Sequence, residues 1–370
     1  MSVALEPAAA APPSDREEKI LGIIETARAK QAKFRDSHIT MAHGAGGKAT
    51  QSLIEGLFVP AFASQTLRAM GDAGAVSVDD LELALTTDSF VVKPIRFPGG
   101  SIGELAVNGT VNDLAMAGAR PLALSLSLIL EEGLPADVLR AEIEAIAAAA
   151  ETAGVKIVAG DTKVVERGHA DKMYVCTTGV GRIDPRASLS PRNLRPGDRI
   201  LVSGTVGDHG TAIMLARGEL GLEAEIESDT CSLWPAVDSL LDAVGPHMRC
   251  IRDATRGGVA SVLNELARAS GVAIVVHEGD VPVNPAVAGA AEILGIDPMY
   301  VANEGKLVAF VAPDHADEAL AALRGVPGCE RATDIGEVKT EPPGMVLVET
   351  AFGGKRVMDQ LVGDPLPRIC

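Results

Sequence analysis

The chain ends on a thiol, in the run Pro365-Leu366-Pro367-Arg368-Ile369-Cys370. A cysteine at a proline-stiffened terminus can act as a nucleophile and can carry a group between sites. Extended, the residues from Leu361 onward reach about 33–36 Å, enough to swing between a docking partner and a site on the body of the protein. A frayed end that happens to finish in cysteine is the plain alternative. Lipidation by the CaaX pattern does not apply, because that pattern puts its cysteine four residues from the end.

Four aspartates stand at strand ends or among small residues. Asp88 closes LALTTD, Asp113 lies within GTVNDLAMAGA, Asp161 follows a strand in VAGDTK, and Asp253 opens DATRGG. Hard carboxylate oxygens at such positions are a means of holding Mg²⁺ against a polyphosphate. Each alone could be an N-cap or turn residue, but four in glycine- and threonine-rich surroundings point to one shared site. In HGAGGKAT, Gly44, Gly46 and Gly47 lie between His43 and Lys48, so backbone amides could wrap an anion at the start of the helix that follows. The segment matches neither GxxxxGK[ST] nor GxGxxG, and a flexible loop remains open. Lys163 could neutralise phosphate charge or be a surface lysine. Glu304, beside Gly305 in VANEGKL, could be a base or a solvated turn residue. His209 in GTVGDHG and Arg256 in ATRGG are also polar residues among glycines, open between site and turn chemistry.

The elements that must position these residues are α/β (α+β) in character. Residues 1–38 form an N-terminal extension: an Ala/Pro-rich disordered start, then an amphipathic helix over 14–36 opened by Ser14 and Glu17 as a capping box. From 39 to 185, β-rich runs such as LALTTDSFVV and MYVCTTGVG alternate with helical stretches at 102–118 and 136–153. A polar linker, DPRASLSPRNLRPGD, marks a boundary, and 186–350 reads as a second α/β domain. Residues 351–370 are expected to be a mobile tail. With 370 residues and 47% apolar content the chain has core material for two domains. A net charge of −17 argues against nucleic acid and anionic membrane as general partners. The five cysteines form no CxxC pair and read as reduced thiols, the first four in the core. With no apolar run long enough to span a bilayer and no signal-peptide pattern, the expected location is cytoplasmic.

Taken in order, HGAGGK, TTDSFVVKPIRFPGGSIG, NGTVNDLAMAGARP, LILEEGLP, AGDTKVV, SGTVGDHG, RDATRGGV, ANEGKL and the terminal PRIC resemble the HypE family of hydrogenase expression/formation proteins, carbamoyl dehydratases of nickel–iron hydrogenase maturation. The resemblance runs from about Ile39 to Cys370; the extension before it has no counterpart in the pattern. It implies the fold of the aminoimidazole ribonucleotide (AIR) synthetase and selenophosphate synthetase superfamily, a homodimer whose N-terminal sheets pair into a barrel, and Mg-ATP bound near the junction of the halves. It places Asp88, Asp113, Asp161 and Asp253 on metal–phosphate aspartates, Lys48 and Lys163 on phosphate-side lysines, and Cys370 on the acceptor thiol. Gly44, Gly46, Gly47, Asn112 and Thr162 complete the expected nucleotide set, with ATP and Mg²⁺ as cofactors. The catalytic set is Cys370, Glu304, His43 and Lys163, with Glu304 the first choice of base and His43 the second. The partners implied are the carbamoyltransferase HypF, which loads Cys370, and the HypC–HypD complex, which accepts cyanide. Two other readings stand beside this one. A small-molecule phosphotransferase of the same superfamily, such as a selenophosphate synthetase, would be expected to carry a reactive Cys or selenocysteine early, and no cysteine precedes Cys176. A non-enzymatic metal or scaffold protein using Cys370 as ligand would need a His/Cys cluster that the tail lacks.

Overall fold

Side chains of MYVCTTGVGRI alternate between buried and half-buried, the period of a strand with one face on a core. This strand is β7, Met173–Ile183, the centre of a five-stranded sheet in the order β1-β2-β7-β5-β6. Its companions are β1 Gly74–Val78, β2 Leu81–Phe90, β5 Ala119–Glu131 and β6 Lys156–Val165, with a small hairpin of β3 Arg96–Phe97 and β4 Gly100–Ser101 beside it. Only β5 and β6 run parallel, and the helix Ala136–Thr152 makes the crossover that parallel pairing requires. The computed structural model describes residues 34–62, 64, 67, 71–218, 224–361 and 368–370.

The helix Ile102–Met116 covers the inner face of this sheet, and every residue of it except Glu104 and Asp113 is buried. A helix apolar nearly all round must be covered on all sides. Here the second cover is the C-terminal half: Ala115 and Met116 join Leu201, Leu307 and Ala309 in one hydrophobic cluster. Among the described residues, the outer face of the sheet is left open to solvent. Val158 is 67% exposed and Val164 66% exposed, and all of β6 except its last residue is exposed.

The second sheet has seven strands in the order β14-β13-β10-β12-β8-β11-β9: β8 Arg199–Val202, β9 Met248–Asp253, β10 Ala273–His277, β11 Leu307–Val311, β12 Thr333–Lys339, β13 Val346–Glu349 and β14 Lys355–Met358. Its central strands are buried on both faces, which is why ILV after Arg199 and LVAFV are continuous apolar runs. Ile200, Val202, Val308 and Phe310 pack with the helix Gly258–Ser270, while Leu201, Leu307, Ala309 and Val311 pack with the helices Trp234–Val244 and Ala316–Arg324.

Some details depart from the sequence reading. The helix expected over 14–36 lies outside the described residues except for 34–36, which are irregular. The helix after the glycine loop is Lys48–Leu53, continuing through a π-helical turn over Ile54–Phe58. Strand β14 falls where the sequence suggests mobile tail, because its backbone pairs with β13 from Lys355 to Met358. Of the four cysteines expected in the core, Cys250 and Cys329 are buried, Cys176 is half-buried and Cys231 is exposed.

Candidate active site at the junction of the two sheets

The ends of β2 and β9 open into one cleft of about 660 Å³. Among the carboxylates that line it, three come from different elements: Asp88 from β2, Asp113 from the buried helix and Asp253 from the last position of β9. Glu304 enters from the loop before β11. That loop is held rigidly: Ala254 N–H donates to Lys306 O at 2.9 Å, Asn303 N–H donates to Ala254 O at 2.9 Å, and Glu304 N–H donates to Asp229 Oδ1 at 2.9 Å. Gly305 is obligatory, since a Cβ there would stand 1.8 Å from Asp229 O. The glycine loop contributes Gly46, whose φ of +78° and 2.8 Å approach of a would-be Cβ to Arg256 Cβ both exclude a side chain.

These acids crowd one another in a desolvated place. Burial, then the charges of Asp253, Asp72 and Asp88, push the Asp113 carboxyl well above the usual carboxylate range. Burial and then Asp72 raise Asp253 to about 8, against the pull of Arg252. Glu304 is held well above its ordinary value by burial, then by Asp253 and Asp88. Its Oε1 is buried without a hydrogen-bond partner among the described residues. Thr86 Oγ1 stands 2.7 Å from Asp113 Oδ2 and 2.9 Å from Asp72 O. As a hydroxyl donor Thr86 faces two acceptors, Asp113 Oδ2 and Asp72 O, and its bond to Asp113 lowers that carboxyl against the larger effect of burial. Arg256 is the balancing cation, its guanidinium held protonated first by the charge of Cys370 and then, against burial, by Asp88 and Glu304. Mutually repelling acids around an orphaned oxygen fit a divalent cation. Among the described residues, no three His, Cys, Asp or Glu side chains close into a metal site by themselves, so such an ion would need oxygens from a phosphate or water as well.

The expected residues divide between this cleft and elsewhere. Gly46, Asp88, Asp113, Asp253, Glu304 and Cys370 line it. Asn112 does not: its Nδ2 donates to Cys231 O and Glu304 O, and its Oδ1 accepts from Leu233 N–H, so all its polar capacity ties the buried helix to the C-terminal half. His43 turns away, with Nε2 at 2.9 Å from Asp36 Oδ2 and Nδ1 accepting from Thr40 N–H. Lys48 binds Asp359 at 2.7 Å, and Gly44 and Gly47 shape the loop without lining the cleft. Asp161, Thr162 and Lys163 lie on the exposed strand β6, where Lys163 pairs with Asp161 at 2.6 Å and, by its hydrogen bond, holds the aspartate below its usual range. The sequence reading overlooked Asp72 and Arg252, an ion pair in the cleft wall; Gly71-Asp72-Ala73-Gly74 has the same small-residue setting as the other aspartates and could have signalled the first.

The AIR synthase related protein families match both halves, the N-terminal domain over residues 70–183 and the C-terminal domain over 195–348. Carbamoyl dehydratase HypE of Bradyrhizobium diazoefficiens is 48% identical over 92% of this chain and 99% of its own length. The Escherichia coli K12 protein of the same name is 45% identical over 90% and 100%. The chain belongs to the HypE family of carbamoyl dehydratases. Solved HypE structures superpose accordingly: one in complex with ATP at a TM-score of 0.75, with 45% identity over 90% of this chain and 100% of the other, and a HypE–HypF complex at 0.80, with 45% identity over 84% and 99%. A structure of AaThiL complexed with AMPPCP and TMP, 21% identical with a TM-score of 0.65 over 87% and 99%, shares the fold.

In this HypE-family chain the terminus is seated inside. Ile369 is 3% exposed, in a cluster with Phe90, Phe97 and Val301, and Cys370 packs against that cluster at the cleft wall. Val91 N–H donates to Cys370 O at 3.0 Å and Lys93 N–H to Arg368 O at 3.3 Å, so the end of the chain pairs like a short strand with the segment after β2.

Proposed function

We propose that this chain converts an S-carbamoyl group on Cys370 into S-cyanocysteine at the expense of ATP, supplying cyanide for the iron of a nickel–iron hydrogenase. The observation that carries the reading is the seating of Cys370 in the wall of the acidic cleft that Glu304 and Arg256 also line; the names of the relatives agree with it. The carbonyl oxygen of Cys370–S–C(=O)NH₂ attacks the γ-phosphorus of ATP and ADP leaves. One nitrogen proton goes to a base, giving Cys370–S–C(=NH)–OPO₃²⁻. Loss of the second nitrogen proton and of phosphate then leaves Cys370–S–C≡N. Glu304 is the proposed base: an ionised carboxylate in that desolvated place is strongly basic, and Arg256 offsets charge beside it. Asp88, Asp113 and Asp253 would hold Mg²⁺ through their carboxylates. When bound, that ion would neutralise charge on the transferring phosphoryl group.

HypF is the proposed source of the carbamoyl group and HypC–HypD the acceptor of cyanide. A homodimer is proposed as the working unit, since among the described residues the outer face of the five-stranded sheet leaves apolar side chains such as Val158 and Val164 exposed. In such a dimer β6 of a second copy would carry Asp161, Thr162 and Lys163 toward the cleft. Among the described residues no helix is long and apolar enough to cross a membrane, and with cysteines that are all free thiols a cytoplasmic site of action is proposed. The test is a single turnover of carbamoyl-loaded protein. One ADP and one phosphate per loaded thiol are expected, with none from protein lacking the carbamoyl group; equal ATP consumption by unloaded protein would refute the coupling.

A further inference from the structure

The last two backbone carbonyls and the terminal carboxylate each have their own donor. Arg368 O accepts from Lys93 N–H at 3.3 Å and from the Arg217 guanidinium at 2.7 Å; Ile369 O lies 2.6 Å from His209 Nε2; and Cys370 O accepts from Val91 N–H at 3.0 Å. Arg217 spans the join, since its Nε also donates to Lys93 O at 3.0 Å. The tautomer of His209 follows from its partner at Nε2. Ile369 O can only accept, so the ring proton sits on Nε2; burial favours the neutral ring, whose Nδ1 then accepts from Ser228 Oγ at 2.7 Å. The ring is wholly buried and set edge-on to Phe97 at 5.6 Å, so its orientation is fixed by packing.

The remaining contacts read Arg368 and Ile369. Arg368 Nη1 donates to Asp171 at 3.0 Å and Nε to Val91 O at 3.1 Å. Its φ of +58° lies in the left-handed region, which a non-glycine residue occupies only when held there.

We propose that His209 and Arg217 form a carbonyl-reading dock that positions the carrier tail in the cleft irrespective of what the Cys370 sulfur carries. The inference rests on Cys370 being the carrier. Neither residue touches the reacting atoms in this arrangement; both act by holding the backbone behind the thiol. Free, carbamoylated and cyanated tails would then dock alike, so release must be triggered elsewhere than at the sulfur.

Hydrogen exchange at the Val91 and Lys93 amides, which donate to the tail, reads docking whatever the thiol carries. In full-length protein these amides are expected to be equally protected with Cys370 free, changed to Ser, or carbamoylated. His209→Ala and Arg217→Ala should each lower the protection about tenfold, the scale of one lost hydrogen bond to a buried or charged group. They should slow single-turnover dehydration with the KM for ATP unchanged, while loading by HypF proceeds at the normal rate or faster. His209→Gln, which keeps a donor and an acceptor, should recover most of the rate. Arg217 is only half-buried, so its variant serves where loss of the wholly buried His209 ring disturbs folding. An Arg217→Ala protein of normal melting temperature with normal protection at Val91 and Lys93 would overturn the proposal, as would protection that changes on carbamoylation. If wild-type loaded protein fails to dehydrate with Mg-ATP, the proposed function fails instead, and the exchange pattern still decides the dock.

Discussion

In sequence Asp253 and Asp161 have the same setting, an aspartate after an apolar run and beside small residues, yet Asp253 ends β9 while Asp161, expected to follow a strand, sits inside β6, and the two stand in opposite surroundings. Asp253 ends a strand buried on both faces and is pushed up to about 8 by burial and neighbouring acids. Asp161 lies on an edge strand open to solvent, paired with Lys163, and is lowered. Strand-end acids therefore do not make a site by their sequence setting; the packing beyond the strand decides. One copy of the chain assembles the acidic wall of the cleft and leaves the lysine-bearing strand outside it.

The largest expected effect is at the thiol. Cys370→Ala should abolish cyanide formation while leaving nucleotide binding close to wild type; a large loss of ATP affinity by calorimetry would make the tail part of the nucleotide site. Glu304→Gln should slow the dehydration of loaded Cys370 by about 10²–10⁴-fold, the usual scale for a general base, with loading by HypF unchanged. Activity within a few fold of wild type would pass the proton to another group.

The two-copy reading is open to complementation. Asp161→Asn and Cys370→Ala are each expected to be inactive, but a mixture refolded together should recover about a quarter of wild-type activity, because about half of the dimers are mixed and each mixed dimer has one complete site. Asp161→Asn homodimers with full activity would leave β6 out of the chemistry. The smallest effect is on stability. The Asp253 carboxyl ionises near 3.8 in the unfolded chain and at about 8 when folded, so the folded state keeps a proton that the unfolded state has lost, and stability drains away as pH rises between those values. Asp253→Asn removes this term. Its melting temperature without nucleotide or metal should exceed wild type by a few degrees near pH 8, with the difference shrinking toward pH 5; a pH-independent difference would mean that Asp253 is ionised throughout.

Many strands of both sheets could be read from pattern because they follow simple burial rules, while β1, β9 and β14 were missed. Continuous apolar runs such as LVAFV need two covered faces, and the alternation of MYVCTTGVGRI needs one. The cleft was partly legible for a related reason: Asp88, Asp113, Asp253 and Glu304 are acids in small-residue or apolar settings, where a charge must be used or neutralised. What could not be read was direction. Asn112 stands next to Asp113, but on a helix adjacent residues face about 100° apart, so one points to the cleft and the other to the backbone of the C-terminal half. His43 and Lys48 flank the glycine loop but face Asp36 and Asp359, partners seven and 311 residues away. Nor could the sequence rank His209 above turn chemistry, since its role depends on a carbonyl at the far end of the chain.

The most direct test of the central claim is intact-protein mass spectrometry of full-length protein incubated with HypF, carbamoyl phosphate and ATP, followed by peptide mapping before and after a chase of Mg-ATP. The expected result is a carbamoyl adduct on Cys370 that loses the mass of one water during the chase, and keeps it in Glu304→Gln. A Cys370 that stays unmodified beside demonstrably active HypF, or an adduct unchanged by Mg-ATP, would contradict it.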